Sequence, residues 1–269
     1  MPDPIPAEIA AALRASAGRR GRVGEPFYYF AVTASTNDAA ARLAEQGATE
    51  GTAVMAGAQT AGRGRLGREW FSPPGAGLYA SVVFRQTPLL PALTLAGGVA
   101  VAEGIQAATG LPVEIKWPND VVIRDGAARA RRRKLAGILA EASSGSSGVQ
   151  YVVLGFGVNV RQASLPADLS TTASSVEAEL GRAVDIGPVL AEILAALNVR
   201  VQQLHRGEAE TMLNRWRALA PLAVGSIVEW DRAGGRARGT TLGVDETGAL
   251  LVKAEHGTER ILSGEVRWL

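Results

Sequence analysis

The chain has 269 residues and carries 28 lysine and arginine side chains against 26 aspartates and glutamates, which gives a formal net charge of +2. Such a small positive excess is weak evidence for a nucleic-acid partner. Because the sequence contains no cysteine, disulfides, thiolate chemistry and zinc–thiolate sites are excluded. The two histidines, His205 and His256, lie far apart in the sequence, which argues against a histidine-based metal site or catalytic triad.

The composition, 47% hydrophobic and 20% charged, is that of an ordinary globular protein. The length allows one large domain, or one domain with a small appendage. By inspection we find no run of about 18 apolar residues, and the first ten residues lack the basic-then-apolar pattern of a signal peptide. We therefore predict a cytoplasmic protein.

The N-terminal elements are predicted from apolar spacing. Ile5, Ile9 and Leu13 recur every four residues, which predicts a short amphipathic helix that ends near Gly18. A strand is predicted over residues 27–32.

An alanine-rich segment, residues 39–46, follows and is predicted to be helical. Ser35 and Thr36 precede it and are good N-caps, so residues 35–37 have a structural interpretation as a helix cap. A helix N-terminus is also an anion site, and capping is therefore compatible with ligand binding.

The middle of the chain is predicted to form a sheet with one long helix. A helix is expected over residues 91–109, where Gly97 and Gly98 would allow close packing against the sheet. Apolar runs then predict three successive buried strands, with a turn at residues 145–148 joining the last two. These strands are expected over residues 113–123, 134–142 and 149–160.

The C-terminal part changes texture at Pro221. Before it, a helix starting at Asp185 follows a 3.6-residue period, and a second helix is predicted over residues 208–219. The apolar side chains of the second helix are interpreted as core; they are Met212, Leu213, Trp216 and Leu219. After Pro221, about five short strands separated by turn signals predict a small barrel. We place a domain boundary near residues 219–221.

The most unusual stretch is residues 62–81, GRGRLGREWFSPPGAGLYAS. Its glycines and its two prolines, Pro73 and Pro74, are unfavourable in helices and strands, so a loop is predicted between strands at residues 52–58 and 78–84. Glycine lets backbone N–H groups approach an anion, and arginine adds a planar fork of donors. The alternative is a solvated surface loop. The sequence contains no GxxxxGK[ST] phosphate loop.

Further motifs accompany this loop in a fixed order: STN at residues 35–37, Gln59, KWPND at 116–120, KLAGIL at 134–139 and GFGVN at 155–159. In this order and spacing the set resembles the biotin–protein ligases from Ser35 to about Asn159. The resemblance implies an α+β fold with a mixed-sheet catalytic domain, like class II tRNA synthetases and biotin synthetase, over residues 1–220. An SH3-like β-barrel over residues 221–269 is implied to follow it.

The resemblance also implies an activity and its partners. An ATP-dependent ligase would form biotinyl-5'-AMP with Mg²⁺ and transfer biotin to a lysine of a biotin carboxyl carrier domain of a carboxylase. Only 34 residues precede Ser35, fewer than the ~50–60 that a helix-turn-helix unit with its supports needs. We therefore expect a monofunctional type without the DNA-binding domain of some relatives, with no DNA or membrane partner. A homodimer is left open.

Residue roles follow from the same resemblance. Positions matching the biotin site are Ser35, Thr36, Asn37, Gln59, Arg63, Gly64, Arg65, Lys134 and Gly137. Positions matching the ATP site are Arg65, Arg68, Trp70, Lys116, Asn119, Asp120 and Asn159, with Asp120 also on the metal side. The catalytic set is Lys134, Arg65 and Lys116, while Gly155 and Gly157 match the pocket wall.

The residues themselves suit adenylation, which needs cations around a crowded anionic transition state rather than a covalent nucleophile. Several positions keep a structural alternative. Trp70 and Trp117 fit a core, Asp120 fits a cap or ion pair, and Asn159 fits a strand end that satisfies backbone groups. Lys116 has a weaker alternative, because a lysine in a buried strand is costly unless it meets an anion.

Two other functions and one segment stay open. A lipoate or octanoate ligase usually carries a histidine near the Arg/Gly loop, which this sequence lacks. A biotin-sensing repressor would need DNA-binding elements.

Within residues 125–134, four arginines (Arg129, Arg131, Arg132 and Arg133) are interpreted as a solvated charge run, with guidance of ATP or an acidic acceptor as the alternative.

Overall fold

The computed structural model describes residues 1–85, 90–124, 132–145, 148–166, 169, 171–232, 235–262 and 264–269. Six α-helices are found in these ranges: α1 (Ala7–Arg20), α2 (Thr36–Glu45), α3 (Leu90–Thr109), α4 (Val176–Leu180), α5 (Ile186–His205) and α6 (Ala209–Leu219). The strands up to residue 159 are β1 (Phe27–Phe30), β2 (Ala53–Ala56), β3 (Gly77–Phe84), β4 (Val113–Lys116), β5 (Asp120–Arg124), β6 (Arg132–Gly145) and β7 (Gly148–Asn159). The C-terminal strands are β8 (Val224–Arg232), β9 (Gly235–Val244), β10 (Leu250–Ala254), β11 (Gly257–Ile261) and β12 (Val266–Trp268).

The larger sheet is mixed and has the strand order β1-β2-β3-β7-β6-β5-β4 within the described ranges. β1 and β2 pair in parallel, and the other neighbours pair antiparallel. Strands β6 and β7 form the longest ladder, in which Gly137 lies opposite Gly157. Because successive side chains alternate between faces, each strand contributes to two different layers.

One face of this sheet is covered by helices. Leu154 and Ile138 point into the large core that α3, α5 and α6 complete. Gly97 of α3 lies so close to the sheet that a Cβ atom there would approach Leu154 at 3.1 Å and Ile138 at 3.2 Å. The prediction that a glycine in α3 allows close packing is confirmed. On the opposite face α2 covers only part of the sheet, packing on Val54, Val83 and Val153, and the part toward β5 and β4 is left for the pocket.

Helix α3 corrects one expectation from the sequence. The sequence was expected to hold no apolar run of about 18 residues. The segment Ala92–Thr109, however, is long and apolar enough to cross a membrane by its length and composition alone. That stretch is 67% buried inside the fold. A core helix of a globular protein can be as apolar as a membrane span, because here one side of α3 faces the sheet and the other faces further helices.

The C-terminal strands form an antiparallel sheet with the order β11-β10-β9-β8-β12. Trp117 joins this sheet to the larger one, because its Nε1 donates to the carbonyl oxygen of Gly248 at 3.0 Å. The predicted fold class, an α+β catalytic part followed by a small all-β part, is confirmed.

Other differences have local causes. Residues 113–123 are not one strand but the hairpin of β4 and β5, because Trp117, Pro118 and Asn119 form a turn in which proline cannot donate to a ladder. Helix α1 continues past Gly18 to Arg20, while the exposed Ile5 lies outside it. The short helix α4 was not predicted.

Some predicted features lie partly outside the described residues. In the arginine-rich segment, Arg129 and Arg131 are outside, whereas Arg132 and Arg133 belong to β6 and form ion pairs with Glu114 and Glu179. The turn between β6 and β7 is outside at residues 146–147, although Gly145 pairs with Gly148 as a hairpin requires.

Candidate active site

A cavity of about 320 Å³ lies on the sheet face that α2 leaves open. It is bounded by the start of α2, the loop between β2 and β3, the turn between β4 and β5, strands β6 and β7, and residues 264–266. We call residues 62–70 the arginine loop. The cavity is lined by every site residue predicted from the sequence: Ser35, Thr36, Asn37, Gln59, Arg63, Gly64, Arg65, Arg68, Trp70, Lys116, Asn119, Asp120, Lys134, Gly137, Gly155, Gly157 and Asn159.

The floor of the cavity is built by the first residues of α2. Ser35 occupies the N-cap position, but its side chain makes no capping hydrogen bond within the described structure, so this structural interpretation is not borne out for the hydroxyl. Thr36 donates from its backbone N–H to Gln59 Oε1 at 2.8 Å, and its hydroxyl oxygen lies 2.8 Å from the hydroxyl oxygen of Ser81. Ser35, Thr36 and Ser81 are buried and Gln59 is half-buried, and their hydroxyl and amide groups suit a neutral, polar ligand head group.

Asn37 connects the floor to the sheet. Its Oδ1 accepts from Ser81 Oγ at 2.6 Å, and its Nδ2 donates to Glu141 Oε2 at 2.5 Å. The amide packs directly on Gly155, where a Cβ atom would come within 2.1 Å of Asn37 Oδ1. Only glycine fits at that position of β7 without displacing Asn37.

The arginine loop crosses the cavity and includes a short 3-10 turn, Arg65–Gly67. Within this turn Leu66 has φ 57°, a left-handed conformation that is unfavourable for leucine. The loop arginines have different partners. Arg63 contacts Asp38 and Glu141, and Arg68 contacts Glu265 at 2.8 Å. Arg63 and Arg68 therefore have carboxylate partners without a bound anion.

Arg65 differs from its neighbours. Its Nη1 donates to Asn119 Oδ1 at a long 3.4 Å, and no carboxylate pairs with it in the described part of the chain. Burial lowers the pKa of Arg65, and the nearby Asp120 partly opposes this effect. A half-buried guanidinium with so little compensation is suited to an incoming anion.

Two lysines lie on the same side of the cavity. Lys134, in β6, places Nζ 2.6 Å from Asp120 Oδ1 and 5.1 Å from the centre of the Trp70 ring. Lys116, at the end of β4, has a pKa lowered from the usual lysine value, mainly by burial, and Asp120 opposes this shift. Together with Arg65 they form the cationic end of the cavity, opposite in character to the neutral floor.

The back wall is glycine. Gly137 and Gly157 lie opposite each other, and the Trp70 indole rests on both. A Cβ at Gly157 would come within 2.4 Å of Trp70 Nε1. That nitrogen is buried and finds no hydrogen-bond partner among the described residues.

Three of the structural interpretations offered by the sequence agree with the observed contacts, those for Trp117, Asn159 and Asp120. Trp117 is a core residue, 3% exposed. Asn159 Nδ2 donates to the backbone carbonyls of Lys134 and Ser174 at 3.4 and 3.2 Å, while the residue lines the cavity. Asp120 is ion-paired with Lys134.

The carboxylates around the cavity decide whether a magnesium ion fits there. In the part of the chain that the structure describes, no group of three or more Asp, Glu or His side chains converges. Mg²⁺ carried by a nucleotide usually needs one or two protein carboxylates besides the phosphates. Asp120 supplies one such carboxylate beside two lysines, which fits a nucleotide-bound ion better than a dedicated protein cage.

Sequence reasoning missed several residues that shape the site, namely Asp38, Ser72, Ser81, Glu141 and Glu265. For Glu141 a signal was present, since Gly137, Leu139 and Glu141 share one face of a strand. For Glu265, which comes from the C-terminal sheet, no local pattern points to the cavity.

Comparison with known proteins agrees with this geometry. The family model for the biotin/lipoate A/B protein ligase family matches residues 29–159. The model for the biotin protein ligase C-terminal domain matches residues 225–267.

Individual relatives narrow the class. The biotin–[acetyl-CoA-carboxylase] ligase of Paracoccus denitrificans is 36% identical over 243 residues, covering 87% of this chain and 97% of that protein. The bifunctional ligase/repressor BirA of Bacillus spizizenii is 35% identical, covering 91% and 74%. A solved structure of Aquifex aeolicus biotin protein ligase in complex with biotin and ATP has a TM-score of 0.76 and 29% identity, covering 90% and 98%. The chain belongs to the biotin protein ligases.

Proposed function

We propose that the protein is an ATP-dependent biotin–protein ligase that forms biotinyl-5'-AMP and transfers biotin to a lysine of a biotin carboxyl carrier domain. The observation that carries the proposal is the polarity of one cavity: a floor of hydroxyl and amide groups at one end, and Arg65, Lys116 and Lys134 at the other. A ligand with a neutral polar head and an anionic tail matches both ends. Relatives named as biotin–[acetyl-CoA-carboxylase] ligases support the substrate and acceptor.

In the first step the biotin carboxylate oxygen attacks the α-phosphorus of ATP, the bond to the β-phosphate oxygen breaks, and pyrophosphate leaves. Lys134 would hold the carboxylate and the α-phosphate, and Lys116 the other phosphates, with Asn119 and Asn159 on the nucleotide side. Preorganised cations of this kind stabilise the charge that develops in the transition state. When bound, Mg²⁺ would neutralise phosphate charge, with Asp120 as its protein ligand.

In the second step the amine of the acceptor lysine attacks the acyl carbon, AMP leaves, and the amine loses a proton. Until then the mixed anhydride must be kept from water. The arginine loop is suited to this role because it crosses the cavity, and Trp70 covers the glycine wall behind it. Ser35, Thr36, Asn37 and Gln59 would contact the biotin head group.

The division into residues 1–220 and 221–269 is part of the proposal. It is supported by the end of α6 at Leu219, by the purely β structure that follows, and by the family match at residues 225–267. Monofunctional ligase activity without DNA binding and a cytoplasmic location also stay predictions, and homodimer formation is left open. A gel shift with operator DNA tests the first of these.

The direct test is incubation with ATP, Mg²⁺ and labelled biotin. We expect biotin-dependent release of pyrophosphate, a protein-bound adenylate, and label on a carrier domain that is lost when the acceptor lysine is replaced. Lipoate and octanoate serve as matched competitors in the same assay and in thermal-shift binding. Pyrophosphate release that depends on lipoate but not on biotin would contradict the proposal.

A further inference from the structure

The arginine loop is fastened to the pocket floor through one guanidinium. Arg63 Nη1 and Nη2 donate to the two carboxylate oxygens of Asp38 at 2.8 and 2.7 Å, and Nη2 also donates to Glu141 Oε2 at 3.1 Å. Asp38 belongs to α2 and Glu141 to β6, so the loop is attached both to a helix and to a strand of the large sheet. A bidentate arginine–carboxylate pair fixes orientation as well as distance.

Glu141 is itself held in place by buried groups. Ser81, fully buried on β3, donates to Asn37 Oδ1, which fixes the orientation of the Asn37 amide so that Nδ2 faces Glu141. A continuous hydrogen-bonded chain therefore runs from the pocket floor to the arginine loop. It passes through Ser81, Asn37, Glu141 and Arg63.

We propose that Glu141 and Asp38 are positioning residues that hold the arginine loop closed over the site through Arg63. Because two carboxylates already neutralise Arg63, its charge serves attachment of the loop. Arg65 pairs with no carboxylate among the described residues and is left for the anionic ligand. Asp38, Arg63 and Glu141 are named the loop clamp. This inference rests on the proposed function for its catalytic consequence, but not for the existence of the clamp.

The clamp is tested first without any ligand. Trypsin cleaves after Arg65 and Arg68, and the variants Glu141→Gln and Asp38→Asn keep both arginines. The initial rate of cleavage at these two positions is measured by mass spectrometry. We expect this rate to rise about 10-fold in each variant, as loss of a charge-assisted hydrogen bond would cause. Glu192→Gln is the matched control, because Glu192 forms a bidentate pair with Arg19, with two hydrogen bonds of 2.6 Å, and does not line the cavity. Its cleavage should equal that of the wild type.

A double-mutant cycle separates the clamp from a general loss of structure. In an Arg63→Ala background, Glu141→Gln and Asp38→Asn should produce no further increase in cleavage, since the partner of both carboxylates is gone. Additive effects in that background, or wild-type cleavage in both single variants, would overturn the proposal. Thermal unfolding identifies any variant that does not fold, and in that case the other carboxylate variant decides.

The catalytic consequence is measured with biotin, ATP and Mg²⁺. Both carboxylate variants should release the adenylate about 10-fold faster than the wild type, with the pyrophosphate burst changed less than about 3-fold. If the wild-type protein forms no adenylate, the proposed function fails while the ligand-free cleavage result still decides the clamp. Equal adenylate release in the variants and the wild type, beside raised cleavage, would show that the clamp does not position the loop for catalysis.

Discussion

At the scale of single residues, Lys134 and Arg65 are both cationic and both line the cavity, but their attachments differ. Lys134 lies on a central strand and is paired with Asp120 at 2.6 Å. Arg65 lies on the arginine loop, and among the described side chains the hydrogen bond that its guanidinium makes is to the Asn119 amide at 3.4 Å. We therefore expect Lys134 to act during formation of the adenylate and Arg65 to act mainly in its retention.

Replacing Lys134 by alanine should reduce biotin-dependent pyrophosphate release by about 10²–10³-fold, as does loss of one preorganised donor to a transition state. Arg65→Ala should retain some adenylate synthesis and let the intermediate escape. Labelling of a bystander protein per pyrophosphate released should then rise. Lys253→Ala, on the exposed part of β10, is the control. Near wild-type pyrophosphate release by Lys134→Ala, or unchanged bystander labelling by Arg65→Ala, would show that the roles are assigned wrongly.

The lowered pKa of Lys116 predicts a pH effect. Burial favours its neutral form, so Lys116 loses its proton at a lower pH than an ordinary lysine. Phosphate groups favour the charged form. ATP binding above the folded-state pKa should therefore take up a proton, and below that pKa Lys116 should contribute no uptake. Calorimetry in buffers of different ionisation enthalpy measures this.

Lys116→Arg provides the matched variant, because a guanidinium stays charged at alkaline pH. In this variant the proton uptake on ATP binding should disappear. ATP affinity should fall at alkaline pH in the wild type as Lys116 loses its charge, and in the variant this fall should move to higher pH. An identical pH profile in the wild type and in Lys116→Arg would mean that another group titrates.

At the scale of elements, the sequence predicted long apolar elements well, because a period of 3.6 or a buried run is a local property. Helices α3, α5 and α6 and the five C-terminal strands were expected nearly as they occur. The hairpin at KWPND was missed because apolar residues on both sides of the turn read as one strand. The motif residues share one cavity, but their carboxylate partners differ in how far the sequence reveals them. Asp38 directly follows the STN motif and Glu141 lies on the same strand face as Gly137, so both have a local signal. Glu265 comes from the distant C-terminal sheet, and no local pattern points from it to the cavity.

The glycine wall makes a prediction about strand β7. In Gly157→Ala the new Cβ would come within 2.4 Å of the Trp70 indole, so the ring must leave the wall or the strand must shift. We expect a loss of about 1–3 kcal/mol in stability, typical of overpacking, and a larger proportional loss of adenylate formation.

Gly18→Ala is the control, since nothing lies within 4 Å of a Cβ at that helical position. It should stabilise the protein by about 0.5–1 kcal/mol with unchanged activity. Chemical denaturation and pyrophosphate release measured on both variants check the comparison. Full activity in Gly157→Ala would mean that the indole does not need the glycine wall.

At the scale of the whole molecule, the C-terminal sheet contributes to the cavity from two sides. Gly264, Glu265 and Val266 line it, and Glu265 pairs with Arg68 of the arginine loop. On the other side, the Gly248 carbonyl accepts from Trp117, the residue next to Lys116. The C-terminal sheet is therefore attached both to the loop and to the turn that carries the residues proposed to bind the nucleotide. We expect damage to either attachment to weaken ATP binding more than biotin binding.

Trp117→Phe tests this coupling, and Trp216→Phe is its matched control. Both tryptophans are buried, at 3% and 0% exposure. Trp117 Nε1 donates to Gly248, whereas Trp216 Nε1 finds no partner among the described residues. Both variants lose packing, but only Trp117→Phe leaves a carbonyl without its donor, which costs about 1–3 kcal/mol if that group stays buried.

We expect Trp117→Phe to lower the free energy of unfolding more than Trp216→Phe does, and to raise KM for ATP severalfold while KM for biotin changes little. The physical reason is that the turn holding Lys116, Asn119 and Asp120 is no longer fixed by the C-terminal sheet, whereas the floor proposed to bind biotin is built from α2 and β3. Trp216→Phe should alter stability alone, because α6 packs on the opposite side of the large sheet. An equal rise of both KM values in Trp117→Phe, or the same ATP effect in Trp216→Phe, would show that the C-terminal sheet does not act through this turn.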